Sequence, residues 1–127
     1  MSASPVFVGT PRTAMVQIST ANTARDGSGT VATVWSAGAS GSRIDRVKIM
    51  GVGTVTGGMV RLFLNDGTNT RLLDERPIAA TTPSATVPGF IDEIPFPDGL
   101  VIQSGWSLKA ATHNAETFNV FAQGGDL

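Results

Sequence analysis

Gly58-Met59-Val60-Arg61-Leu62-Phe63-Leu64-Asn65-Asp66-Gly67-Thr68-Asn69-Thr70-Arg71-Leu72-Leu73 is the stretch whose reading decides the fold. From Gly58 to Asn65 the side chains alternate, with Val60, Leu62 and Leu64 on one face of an extended strand and Met59, Arg61 and Phe63 on the other. Both faces carry bulk, so the strand is central or is covered on its second face by a loop or another subunit. Asn65-Asp66-Gly67-Thr68 then places Asp-Gly where a tight turn needs residues that tolerate positive φ. The spacing predicts an antiparallel hairpin between Gly58–Asn65 and Thr70–Ile78.

Outward from this hairpin the same grammar repeats. Fifteen glycines and seven prolines punctuate the chain about every ten residues, and no stretch reads as a good helix. Further strands are expected at Thr13–Thr20, Thr30–Ala37, Ser42–Gly51, Ala85–Ile94, Leu100–Gln103, Trp106–Thr112 and Thr117–Gln123. In Ser42–Gly51, Val47 and Ile49 oppose Arg46 and Lys48, yet Ile44 falls on the Arg46 side. A bulge or a change of sheet near Asp45 resolves the conflict. Pro77–Pro88 reads as a long exposed connection. The expected architecture is all-β: a single antiparallel β-sandwich, jelly-roll-like, of about eight strands. Residues 1–12 are expected to be an extended N-terminal arm and residues 13–127 the sandwich.

Composition narrows the function. At 127 residues, 41% hydrophobic and only 15% charged, the chain can fill one core but must cover itself with uncharged polar groups, which suits a protein that touches other proteins. A net charge of −1 argues against nucleic acid, because neutralising phosphates takes a concentrated surplus of Lys and Arg. No run approaches the roughly 18 apolar residues of a membrane span, and the start carries no secretory pattern, so no membrane partner is expected. Without cysteine there is neither a disulfide framework nor a thiolate metal site.

Catalytic chemistry has little to work with. His113 is the only histidine, and Asn114-Ala115-Glu116 beside it reads as a turn, so a backbone-bonded turn histidine is expected and no catalytic residue is assigned. In Asp74-Glu75 and Asp92-Glu93 adjacent strand residues point to opposite faces and do not meet at one substrate. Asp26-Gly27-Ser28-Gly29-Thr30 and Asn65–Asn69 hold oxygens suited to calcium, but turn formation explains both without the twelve-residue ligand spacing. Gly51, Gly53, Gly57 and Gly58 lack the Lys-Ser/Thr pair and helix of a phosphate cradle. No cofactor or metal is implied.

Arg43, Arg46 and Lys48 form the densest basic group, either a patch with Arg61 and Arg71 or cross-strand partners of Asp45, Asp74 and Glu75. Trp35 and Trp106 are core or interface anchors. The candidate partner-binding residues are Pro5, Val6, Phe7 and Val8 in the arm, with Trp35, Arg46 and Lys48 in the sandwich.

Several strings carry a resemblance: Thr20-Ala21-Asn22-Thr23-Ala24-Arg25-Asp26-Gly27-Ser28-Gly29-Thr30, Gly41–Arg46, Gly58–Phe63, Thr112–Val120 and the Gly124-Gly125-Asp126 ending. In this order they resemble small virion structural proteins of tailed bacteriophages, over most of the chain after about Met15. The resemblance implies a non-enzymatic virion protein assembled in the host cytoplasm and carries over no catalytic signature. Within that class the expectation is a capsid decoration, or cement, protein: a homo-oligomer, a trimer by preference, that binds the major capsid protein or other virion proteins. A neck, tail or fibre-base component is the alternative. A carbohydrate-binding module is a third, resting on exposed tryptophans and Asp/Asn-rich loops.

Overall fold

β-Branched and aromatic side chains favour extended backbone, and the chain uses them in eight strands. They are β1 (Thr10–Ile18), β2 (Ala32–Ser36), β3 (Ser42–Gly51), β4 (Gly58–Asn65), β5 (Thr70–Ile78), β6 (Ile91–Ile102), β7 (Ser107–Thr112) and β8 (Phe118–Asp126). The structure is a computed structural model and describes residues 9–127. Pro5, Val6, Phe7 and Val8 lie outside the described residues. Among the described residues no helix is long and apolar enough to cross a membrane.

The pairs β1·β8, β2·β7, β3·β6 and β4·β5 are all antiparallel, like successive rungs of one long hairpin whose tip is the β4–β5 turn. Pairing of β3 with β8 and of β4 with β7 rolls those rungs into two sheets, β1-β8-β3-β6 and β2-β7-β4-β5. This is the jelly-roll topology. Between the sheets lie Ile18, Ile44, Val47, Ile49, Ile94, Ile102, Phe118 and Val120 from the first, and Val34, Trp35, Val60, Leu62 and Leu108 from the second. Alternation puts them there: in β4 Val60 and Leu62 enter the core while Arg61 and Phe63 point away from it.

Rolling also sorts the loops. Loops 52–57, 79–90 and 113–117 lock together at one end, through the Val55–Thr81 bridge, the Val52 N–H donated to Thr117 O, and the Glu116 carboxylate accepting from the Thr56 N–H and hydroxyl. At the other end the connections are short, and the Ala37 N–H bonds Trp106 O while the Leu127 N–H bonds Gly41 O.

The strands at Ser42–Gly51, Gly58–Asn65 and Thr70–Ile78 run as the sequence predicts, and the register of β3 slips between Ile44 and Arg46 against both neighbours, the bulge its pattern demands. Gly124 of β8 approaches the bulged strand so closely that a Cβ there would strike the Arg43 carbonyl. Within the β4–β5 loop only Gly67 takes positive φ (95°); Asp66 instead accepts from the Thr68 and Asn69 N–H groups.

Two expectations are corrected. The strands expected at Ala85–Ile94 and Leu100–Gln103 are one twelve-residue strand, β6, which runs through Pro95 and Pro97. It can do so because β6 is an edge strand, where a residue without an N–H loses no ladder bond. β1 likewise starts at Thr10, so Thr10, Pro11 and Arg12 pair with Asp126, Gly125 and Gly124 and belong to the sheet, not to an arm.

Candidate functional site

The outer faces of the two sheets differ. On β2-β7-β4-β5 the outward side chains of the central strand β4 are covered by the β1–β2 loop. Its Asn22 N–H bonds Thr112 O on β7, its Arg25 pairs with Glu75 on β5 (2.7 Å), and Gly27 sits against Thr70. Since β4 lies between β7 and β5, the loop crosses β4, where Phe63 is 0% and Arg61 5% exposed. Asn22, itself buried, shapes the loop by donating to the carbonyls of Ser28 and Thr30 and accepting from the Ala24 N–H. Glu75 takes a second guanidinium, from Arg61 at 3.0 Å, and the hydrogen bonds from Arg25 and Arg61 hold its carboxyl below the usual carboxylate range. The carboxylates of the two Asp-Gly turns are engaged within their own turns: Asp26 accepts from the Ser28 N–H and hydroxyl, and Asp66 from the Thr68 and Asn69 N–H groups.

Among the described residues no segment lies across β1-β8-β3-β6 in the same way. Its outward positions, read across the register, form three rows: Thr13, Gln123, Arg46 and Pro95; then Met15, Phe121, Lys48 and Glu93; then Gln17, Asn119, Met50 and Ile91. Met15 is 74% and Ile91 49% exposed, and Phe121 is half-buried among them. A cleft of about 240 Å³ is lined by Thr13, Arg46, Lys48, Glu93, Phe121 and Gln123. It continues past Lys48 and Phe121 into an open groove where loop 79–90 overhangs Met50 and Val52, with Val87 and Pro88 on its far wall. Alternation in β1 and β8 is the signal that could have found Met15 and Phe121: Ala14, Val16, Ile18, Phe118, Val120 and Ala122 turn inward.

The candidate residues thus fall in three places. Arg46 and Lys48 stand together on the uncovered face. Trp35 is corrected: at 1% exposure it is a core residue, with the Arg12 guanidinium stacked 3.8 Å from its ring centroid, and offers a partner no surface. Arg12 also pairs with Asp126, whose carboxyl is held low by hydrogen bonds from Arg12 and Ser42. Trp106 is half-buried against the core, so neither tryptophan supplies the open platform a sugar would stack on. The basic residues do not form one patch: Arg43 pairs with Asp45, and Arg61 lies under the loop on the opposite sheet. His113 is corrected in one respect. Its backbone N–H bonds Met59 O, but its ring Nδ1 faces Arg61 Nη1 at 3.3 Å, an arrangement in which the guanidinium donates and the ring accepts.

The chain is a jelly-roll domain whose described residues leave an apolar-centred face open on one sheet. No family model matches the chain, and no curated protein matches it. Two solved structures, both pentameric capsid proteins isolated from metagenomic phage sequences, are similar in fold. One is 20% identical with a TM-score of 0.37, covering 88% of this chain and 58% of that one. The other is 19% identical with a TM-score of 0.41, covering 91% of this chain and 66% of that one. The chain spans less than two thirds of either structure.

Proposed function

We propose that this chain is a non-enzymatic structural protein of a tailed-phage virion, a decoration protein that stabilises the head by binding the major capsid protein. The observation that carries this reading is the uncovered face of β1-β8-β3-β6, with Met15, Phe121, Met50 and Ile91 at outward positions. A jelly roll hosts capsid and lectin functions alike, so the surface has to decide between them. Here the surface is a broad face with an apolar centre, shaped to bury area against another protein. The sequence strings that resemble those of small virion proteins point the same way. In this reading the protein works as a homo-oligomer, a trimer seated where shell subunits meet, and Pro5, Val6, Phe7 and Val8 act as a docking arm on the strength of the sequence alone.

Particles of the encoding phage test this directly. Mass spectrometry and electron microscopy are expected to find the chain in hundreds of copies over the head. A single ring at the neck or along the tail rejects the decoration role in favour of a neck or tail part, and purified particles without the chain reject the virion role altogether. Native mass spectrometry of the isolated protein reads the trimer, and deletion of residues 1–8 is expected to lower occupancy on the head without unfolding the sandwich.

A further inference from the structure

Arg46 and Lys48 leave β3 at alternate positions, about 7 Å apart along the strand and on the same side of the sheet. Neither closes an ion pair or a side-chain hydrogen bond among the described residues. Their situation is unusual in this chain, because Arg12, Arg25, Arg43, Arg61 and Arg76 all pair with carboxylates and Lys109 donates to Thr33. Arg71 is unpaired too, but it stands on the other sheet, at the edge strand β5. Glu93 is the one acid in the cleft; it faces Lys48 across the register without reaching ion-pair distance. Two neighbouring cations are thus left without a bonded partner among the described residues, beside the half-buried ring of Phe121 and at the mouth of an apolar groove formed by Met50, Val52 and Val87.

Resting on the reading of this face as a virion contact, we infer that its partner is an extended acidic segment of another protein. An apolar side chain of that segment enters the groove between Met50, Val52 and Val87, and carboxylates at alternate positions further along meet Lys48 and Arg46 across Phe121. The spacing fits, because successive same-side residues of an extended segment repeat at the same interval of about 7 Å as Met50, Lys48 and Arg46. The charges fit as well: Arg46 offers a planar fork to a carboxylate and Lys48 a point charge, in a cleft part-walled by apolar surface. Nucleic acid fits poorly, since two cations neutralise little of a polyanion. The face of a second copy offers Arg46 and Lys48 only one acid, Glu93, against two more cations. The chain's own residues 1–8 contain no acid at all.

The test uses the full chain and a synthetic peptide, acetyl-Ser-Leu-Ser-Glu-Ser-Glu-Ser-amide, with Gln and Lys versions in which both Glu are replaced. Titration followed by NMR is expected to give saturable shifts at Arg46, Lys48, Met50 and Phe121 with the Glu peptide. Binding should weaken about tenfold or more with the Gln peptide, vanish with the Lys peptide and fall as salt rises. The double variant Arg46→Gln/Lys48→Gln should lose the preference for Glu over Gln while keeping the wild-type melting curve, since neither side chain bonds anything among the described residues. Equal binding of the Glu and Gln peptides overturns the inference, as does no binding of either at low salt. Displacement of the Glu peptide by a DNA duplex overturns it in favour of a phosphate ligand. Self-association abolished by Phe121→Ser overturns it in favour of a second copy. The virion reading fails by a separate observation, the absence of the chain from particles, which leaves peptide selectivity intact.

Discussion

Phe63 and Phe121 sit at corresponding places in the two sheets, each on a central strand and each turned away from the core, yet Phe63 is fully buried and Phe121 stands in an open cleft. The difference lies in chain that is distant in sequence. The thirteen residues between β1 and β2 fold over β2-β7-β4-β5 and are pinned by Asn22, Arg25 and Gly27, whereas no connection crosses β1-β8-β3-β6 in that way. The same pattern, bulky residues on both sides of a strand, therefore has two meanings. On β4 it marks a third layer supplied from within the molecule; on β8 it marks a face that the described residues leave without a third layer.

The sharpest way to break this comparison is a pair of truncations. Phe63→Ala is expected to destabilise the fold by about 3–5 kcal/mol in urea or guanidinium unfolding, the usual effect of emptying a buried aromatic site. Phe121→Ala should cost less than about 1 kcal/mol, and equal losses would erase the distinction between the faces. Next in size is Asn22→Ala, which removes two donated bonds and one accepted bond from the covering loop. A loss of about 1–3 kcal/mol is expected, with hydrogen exchange rising in residues 23–30 before the rest of the chain.

Acid should sharpen the comparison in the same direction. Glu75 and Asp126 both have carboxyl groups held below the usual range, chiefly by hydrogen bonds from arginine side chains. A carboxylate with a lower pKa folded than unfolded binds fewer protons in the native state. Its stabilisation is complete above the unfolded value near 4 and is lost as pH falls through the folded value. Melting temperature is therefore expected to drop below about pH 4, with a shallower drop in Glu75→Gln, where the loop has already lost its acid-sensitive tie. The smallest effect belongs to Met15→Ser, within about 0.5 kcal/mol of wild type in the same unfolding assay, because 74% of Met15 is already exposed to solvent.

How much of this was legible in the sequence follows from how local each signal is. The bounds of β3, β4 and β5 could be read because their alternation is strong and their punctuation, Ser42, Gly58 and Asp66-Gly67, is contiguous with it. The bulge near Asp45 could be read because Ile44 and Val47 both had to reach one core. β6 was split in the reading because Pro95 and Pro97 look like breaks until the strand is known to be an edge. Arg46 and Lys48 were legible as a pair by charge, but not as unpaired, since that depends on where every acid lands. Trp35 could not be told apart as core or interface anchor for a like reason: Arg12, which stacks on it, is 23 positions away and comes close only when β1 and β2 meet at the side of the sandwich.

Pro11 in β1, Pro77 in β5, and Pro95 and Pro97 in β6 have a consequence of their own. Three of the four strands that border the sheets carry an imino acid, and the fourth, β2, has only five residues. A neighbouring copy that tried to extend either sheet would find donors missing where its ladder should run. Copies of the chain brought close together are therefore hindered from zipping edge to edge into ribbons, which leaves the broad sides of the sheets as the surfaces through which they can meet other molecules.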